Sequence, residues 1–435
     1  MLDRLKRSGQ AAVISRAEGR AVQLLQRHWI AGETLLVVGA VGAVTRLIAP
    51  IIKGKDDDPA VLVLDPNGHW VVPLLGSHRG GAEQRARELA AELQGSAVLT
   101  GACSSEGRLA LDSFGEAWGW IRSGTTEAWR RLMQQQANKA RVTVHQSQGL
   151  QDWPTAQSLI EPVDAEAKAD IHIGPECTDT CAWHPASLWL GVGCERDTSL
   201  KLVERAIQEA LNEAGLAIEA VAGVASADRK ADEAALLALT KGRQWPFRTY
   251  EAPVLNAVTV PTPSDAVLAE MGTASVAEAS ALLAAGEGGR LRQPKRILHA
   301  NETGAENDEQ GAVTVAIAEA AQPFAPQRGE LHLIGSGPGD PALLSGDARR
   351  ALARCTVWVG YGLYLDLLEP LREPHQLRRE GQLTREWDRC AEALALAQQG
   401  AKVALISSGD SGIYGMAGLA LDLWLQQAES DRPAF

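Results

Sequence analysis

Residues 330–341, ELHLIGSGPGDP, and residues 402–416, KVALISSGDSGIYGM, are built alike. Each is a short apolar run that ends in Gly, Ser and Asp. Leu331, Leu333 and Ile334 suit a buried strand, and Gly335, Gly337 and Gly339 then let the backbone turn sharply and bare its N–H groups. Residues 403–406 predict a second strand, followed by Ser407-Ser408-Gly409-Asp410 and then Gly412. Between them, 341–354 and 387–399 read as helices. Strand, glycine turn, helix, strand, glycine turn is the order of a parallel α/β sheet, whose ligands sit beyond the carboxyl ends of its strands.

GSGPGD approaches a dinucleotide fingerprint, but Pro338 and Asp340 break GxGxxG, and no acidic residue closes a second strand about 20 residues later. The absence of GK[ST] excludes a phosphate-cradling P-loop. A tight turn without a ligand is the alternative for either loop alone. Two loops with similar Gly-Asp endings are harder to read as ligand-free turns.

These motifs carry a family likeness. Residues 330–423 closely resemble the N-terminal half of a tetrapyrrole methyltransferase, the class that methylates corrin precursors from S-adenosylmethionine. GSGPGDP, VGYGLYLDLL (359–368) and SSGDSGIYGMA (407–417) are most similar to the precorrin-3B C(17)-methyltransferase branch. The resemblance implies that Pro338, Ser408, Gly409, Asp410 and Ile413 contact the methyl donor, and that the domain forms a homodimer. Family domains have two lobes, and residues 330–435 supply the first. Methyl transfer is therefore not expected from these residues alone.

The 435 residues suffice for two to four domains, and 45% apolar with 22% charged residues is ordinary for a soluble globular chain. A net charge of −12 argues against a nucleic-acid surface. The most apolar stretch, 34–52, is interrupted by Arg46 and Pro50, so no membrane span is expected, and no signal peptide is read at 1–10. Six cysteines do not suggest a disulfide framework, and the expected compartment is the cytoplasm. Cys177, Cys181, His184 and Cys194 match in number the ligands of a structural zinc but lack paired CxxC knuckles; buried reduced cysteines are the alternative, and no metal is assigned.

Upstream, a strand at 35–38 runs into Gly39–Arg46, a glycine turn that opens a helix, where Thr45 and Arg46 are candidates to hold a carboxylate. Strands follow at 61–64 and 70–75, joined by the turn Asp65-Pro66-Asn67-Gly68, and then a helix over 82–94. Trp118, Trp120, Trp129 and Trp153 read as packing residues, 125–139 as a helix and 146–169 as a polar linker or edge element. A strand at 188–192 precedes a strongly amphipathic helix over 200–214, and 230–240 reads as a helix carrying Lys230 and Glu233. Ser275 with Glu278 fits a capping box. Residues 293–310 read as an exposed loop, 312–320 as a strand or short helix, and 320–329 as a linker.

GAVGAVTRLIAPIIKGKDDDPAVLVLD, VVPLLGSHRGGAEQRARELA, WLGVGCERDTS, ASADRKADEAALLAL and PSDAVLAEMGTASVAEASALL resemble the cobalt-precorrin-5A hydrolase family over most of 30–100 and 187–320. The family pattern is closer to SGHxGGAN; here Gly76-Ser77-His78 exchanges two residues and Glu83 replaces Asn. The expected architecture is α/β, several domains with mainly parallel sheets, ending in the first methyltransferase lobe. Residues 1–150 are hydrolase-like, 151–186 a linker or small element, 187–320 the hydrolase C-terminal domain, 321–329 a linker and 330–435 the methyltransferase piece.

The two likenesses imply one pathway, the building of the corrin ring of vitamin B12, with tetrapyrrole substrates and S-adenosylmethionine as methyl donor. The hydrolase opens a lactone and releases the extruded carbon as acetaldehyde. That needs an activated water, a stabilised oxyanion and a grip on carboxylates. Glu278 or Glu233 is the candidate base, Lys230 the electrostatic stabiliser, and His78 an alternative base. The amides near 39–46 and 272–275 are candidate carboxylate seats. A solvated surface residue or a helix cap is the plainer reading of each. A non-catalytic tetrapyrrole- or donor-binding protein, and a methyltransferase with other substrates, are the rival functions.

Overall fold

The computed structural model describes residues 18–54, 57–76, 81–100, 109–153, 159–164, 169–300, 308–373 and 375–435. The chain divides into two compact units, each assembled from separated parts of the sequence. One comprises residues up to Ala117 with Leu331–Ala393 and Lys402–Leu423; the other comprises Trp118–Glu330 with Leu394–Ala401 and Trp424–Phe435.

The first unit holds two four-stranded sheets. One runs in the order Thr34–Val38, Ala60–Leu64, Trp70–Leu75, Ser96–Ala97. Its central strand, AVLVL, is buried on both faces. Ala60, Leu62 and Leu64 pack against Ala82, Ala86 and Leu89 of the Ala82–Leu93 helix, while Val61 and Val63 pack with Val44 and Ile48 of the Val41–Ile48 helix. A strand covered on both sides has no polar face, which explains its unbroken apolar run. The expected turn forms: the Asp65 carboxylate accepts from the N–H groups of Asn67 at 3.0 Å and Trp70 at 2.6 Å. Trp70–Leu75 consequently returns antiparallel to Ala60–Leu64.

The other sheet runs Glu330–Gly335, Lys402–Ser407, Val357–Tyr361, Leu377–Gly381, with Val357–Tyr361 parallel to Lys402–Ser407 and to Leu377–Gly381. Ile334, Trp358, Leu365, Ala404 and Ile406 form its core. The helix expected over 341–354 is split. Asp340 caps a single turn at Pro341–Leu343, and Ser345 then caps a new helix, Gly346–Arg354, by accepting from Ala348 N at 3.1 Å.

The second unit also has two sheets. The first runs Ile121–Ser123, Cys181–His184, Ile171–Ile173, Val142–Gln146, Ile160–Pro162. Residues 151–186, read as a linker or small element, thus supply three of its strands. Strands of three or four residues are too short for a period-two pattern to register in sequence. All four tryptophans read as packing residues are buried.

The larger sheet places Leu188–Cys194 between parallel Val221–Ala227 and antiparallel Ala312–Glu319, with Phe247–Tyr250 and Arg290–His299 at the edges. Ser199 caps the Leu200–Ala214 helix, whose Leu202, Val203, Ala206, Ile207 and Leu211 cover one face. On the other face the Ala277–Ala285 helix comes so close that a Cβ at Gly191 would stand 1.8 Å from Ala277 O. The loop expected from 293 is instead part of the Arg290–His299 strand. Its arginines hid it: Arg290 and Arg292 bind Glu319, and Arg296 binds Glu209 at 2.7 Å and Glu213, so polar side chains meet acidic neighbours. Residues 230–240 also differ from expectation. Asp228–Lys230 is a single 3₁₀ turn, and the helix proper is Ala234–Arg243, with Lys230 and Glu233 just before it.

The stretch 321–329 is packed chain. Phe324 lies 5.7 Å from the Trp189 ring, the Arg248 guanidinium sits over both rings, and Arg328 donates to Gly119 O at 2.9 Å. Among the described residues no helix is long and apolar enough to cross a membrane.

Candidate functional site

Two constellations stand at carboxyl ends of parallel strands, one in each unit. In the first unit the two glycine loops interlock. Ser336 N donates to Ser407 O at 2.9 Å and Gly337 N to Gly409 O at 3.0 Å, an antiparallel bridge between loops 72 residues apart (409 less 337). Gly335 permits this approach, since a Cβ there would lie 2.3 Å from Gly409 O. Gly337 and Gly409 take φ of +62° and +59°, and a Cβ on either would meet nothing within 4 Å. Space therefore opens above the bridge.

Pro338, Ser408, Gly409 and Asp410 are exposed around that space, and so is Ile413 at 66%. Asp410 accepts Gly412 N at 2.7 Å and holds its own turn. The Ser407 hydroxyl is buried without a hydrogen-bond partner among the described residues. Sequence reasoning missed two features here. One is the Gly335–Gly409 contact, which is invisible without the pairing. The other is the exposure of Tyr414, next to Ile413 in the second loop and with φ +51°.

In the second unit, Lys230 and Glu233 are brought together. Both are buried, with Lys230 Nζ 3.5 Å from Glu233 Oε2. Asp197 N donates to Glu233 Oε1 at 3.1 Å, and Arg196 NH1 lies 3.7 Å from Oε2. Arg196 also binds Asp232 at 2.6 Å and Arg229 O at 2.7 Å. The hydrogen bond from Arg196 holds the Asp232 carboxyl below its ordinary range and raises the guanidinium in turn. These groups occupy the loops after Leu188–Cys194 and Val221–Ala227. Cys194 ends the first of those strands, and burial pushes its thiol up to about 11, so it stays protonated at neutral pH.

Glu278 belongs to a different set of contacts. It is fully buried, accepts from Thr262 Oγ1 at 2.7 Å and Lys295 N at 3.1 Å through Oε1, and from Thr262 N at 3.4 Å through Oε2. Lys295 Nζ closes the ring on Thr262 O. Half of the expected capping box exists: Ser275 Oγ accepts from Glu278 N at 3.3 Å, but the Glu278 carboxylate turns to Thr262 and Lys295. Arg196, Thr262 and Lys295 escaped notice as site residues. Arg196 had one signal, its place in the polar turn directly after a strand.

The remaining candidates separate from these clusters. Thr45 donates to Val41 O at 2.9 Å and Arg46 to Gly42 O at 3.0 Å, both carbonyls of their own helix. Arg46 and Thr45 thus fold back on the helix rather than reaching an anion. His78 lies outside the described residues. Cys177 is exposed and Cys181 buried, while His184 contacts Ser123 Oγ and Gly174 O, both at 2.7 Å. Among the described residues no cluster of three or more His, Cys, Asp or Glu is arranged to hold a metal.

Known proteins match in the same three segments. Residues 23–104 match the family described as Cobalamin synthesis G N-terminal, 188–318 Cobalamin synthesis G C-terminus, and 330–430 Tetrapyrrole (Corrin/Porphyrin) Methylases. A cobalt-precorrin-5A hydrolase of Priestia megaterium is 29% identical over 273 residues, 58% of this chain and 72% of that protein. A second, from Salmonella typhimurium, is 28% identical over 243 residues, 51% of this chain and 67% of that protein. A Salmonella typhimurium protein named "Probable cobalt-factor III C(17)-methyltransferase" is 46% identical over 97 residues, 22% of this chain. The chain spans only 40% of that relative's length. The α/β architecture with mainly parallel sheets thus carries, in chain order, two segments similar to Cobalamin synthesis G and to cobalt-precorrin-5A hydrolases, followed by one similar to part of a tetrapyrrole methylase.

Proposed function

We propose that this chain serves cobalamin biosynthesis in two ways: its hydrolase part opens the lactone of a cobalt-precorrin-5A-type tetrapyrrole with release of acetaldehyde, and its methylase part, one of the two lobes that methyl transfer needs, binds S-adenosylmethionine, the donor for C-17 methylation and ring contraction. The observation that carries the first reading is the buried Lys230–Glu233 pair at the carboxyl ends of parallel strands. Ligands of open α/β sheets collect at such ends. Glu233 takes a proton from water as its oxygen bonds to the lactone carbonyl carbon. Lys230 and Arg196 offset the negative charge that develops on the carbonyl oxygen. The ring C–O bond then breaks, and the departing alkoxide recovers a proton, leaving a carboxylic acid and a hydroxyl on the extruded carbon. Loss of that hydroxyl's proton breaks the bond from this carbon to the macrocycle, which keeps the electron pair and takes up a proton, and the fragment leaves as acetaldehyde.

In the methylase part, the residues fit the donor. The open space over Gly337 and Gly409, the Ser407 hydroxyl, which has no partner among the described residues, and the exposed Asp410 carboxylate offer backbone and acidic contacts of the kind a ribose or amino-acid portion uses. Pro338, Ser408, Gly409, Asp410 and Ile413 would hold it. Bound donor supplies an electrophilic methyl group; the chain supplies alignment.

The test is anaerobic incubation of the protein with cobalt-precorrin-5A and assay of acetaldehyde. Release that is lost in Glu233→Gln is expected. Folded protein that binds the tetrapyrrole but releases no acetaldehyde overturns the hydrolase reading in favour of a binding protein.

A further inference from the structure

The Ala82–Leu93 helix has a second buried face that its own sheet does not explain. Ala82, Ala86, Leu89 and Ala90 face that sheet. Glu88 and Glu92, one turn apart, are buried as well, Glu92 to 3% exposure. Carboxylates leave water at a cost that only pairing and hydrogen bonding offset, so a helix with a merely solvated outer face would not hide them.

Their partners come from the methylase helix Gly346–Arg354. Arg350 NH1 lies 2.6 Å from Glu92 Oε2, and Arg354 NH1 lies 3.6 Å from Glu88 Oε2. Gln84 Nε2 donates to Glu88 Oε1 at 3.2 Å and to Ala353 O at 3.0 Å, a carbonyl in the last helical turn that has no partner within its own helix. Glu88 and Glu92 rise by one turn where Arg354 and Arg350 descend by one, so the helices run antiparallel with matching steps. The methylase helix is two-sided in the same way, with Leu352 turned into its own core and the arginines turned to the carboxylates. Beyond the helices, Thr356 Oγ1 donates to Ala117 O at 2.6 Å.

We infer that the Glu88–Glu92 face is a docking surface dedicated to the basic face of the methylase helix, and that these segments, 258 residues apart at the Glu92–Arg350 pair, open as one cooperative unit. Thr356 enters the Val357–Tyr361 strand at its amino end, whereas the glycine loops follow carboxyl ends. The docking therefore leaves the donor loops uncovered. A covalent tether alone would leave both faces wet and both charge sets solvated.

Hydrogen exchange of the full chain tests this, read on peptides covering 346–361 with 221–227 as control. Glu92→Arg is expected to speed exchange across 346–361 by about tenfold or more with 221–227 unchanged. The double variant Glu92→Arg with Arg350→Glu is expected to restore protection. Unchanged protection of 346–361 in Glu92→Arg, or no recovery in the double variant, overturns the inference. Should Glu92→Arg fail to fold, Arg350→Gln carries the same comparison, with faster exchange in Ala82–Leu93 and 346–361 together supporting cooperativity and a change in 346–361 alone refuting it.

Discussion

Glu233 and Glu278 are both buried glutamates of the segment that matches Cobalamin synthesis G C-terminus, and under the proposed function they do different work. Glu278 accepts three hydrogen bonds from Thr262 and Lys295, which tie the segment around 262 and the Arg290–His299 strand to one helix. Glu278→Gln should lower stability by about 1–3 kcal/mol, since one of those donors loses its acceptor. Turnover per folded molecule should persist, as denaturation curves and acetaldehyde release measured together will reveal. Glu233→Gln should lower stability by about 1–3 kcal/mol as well, since buried Lys230 loses its charged partner, but unlike Glu278→Gln it should also cut turnover per folded molecule by about 10²–10⁴-fold. Glu319 is a third case. Burial alone would raise its carboxyl, but Gln148, Arg292 and Arg290 outweigh burial and hold it below the ordinary 4.5. A depressed carboxyl stabilises the fold above its ordinary value, and that contribution is lost as pH falls through the folded value. Arg292→Gln should therefore melt well below the parent at pH 7, and the gap should close as the pH falls below the ordinary 4.5 and through the lower folded value.

At the scale of elements, close backbone approach matters more than side-chain chemistry. The first glycine loop meets the second because Gly335 has no Cβ to collide with Gly409 O. Gly335→Ala should cost about 1–3 kcal/mol by overpacking and weaken S-adenosylmethionine binding by calorimetry. Gly337→Ala meets open space and suffers only from its positive φ. If both variants bind the donor as the parent does, the loops do not form its site. The elements themselves were legible to differing degrees. Leu200–Ala214 shows its amphipathic period in sequence and forms with the expected bounds, which the structure closes with a Ser199 cap and Gly215. Arg290–His299 does not, because its arginines are satisfied by Glu319, Glu209 and Glu213 on other elements.

At the scale of the molecule, chain order and spatial grouping differ. Residues 424–435 follow the methylase strands yet belong to the unit built from 118–330. Asp431 binds Arg248 at 2.8 Å, and Ala434 N donates to Gly329 O at 3.1 Å. Asp431→Ala should destabilise that unit by about 1–3 kcal/mol, because Arg248 loses its charged partner while its stack on Trp189 and Phe324 remains. Chemical denaturation followed by tryptophan emission will measure it.

By itself, the sequence determined what depends on neighbours along the chain. Gly335-Ser336-Gly337 after an apolar run, Ser199 before an amphipathic helix and Asp65 in its turn act through local backbone geometry, so their patterns identify strands, helices, turns and the family. The tertiary structure alone decided which distant groups meet. Glu233 with Arg196, Glu278 with Thr262 and Lys295, and Glu92 with Arg350 are pairings across the fold. The stability of a buried carboxylate depends on the partner brought to it in space, and spacing along the chain carries no record of that partner.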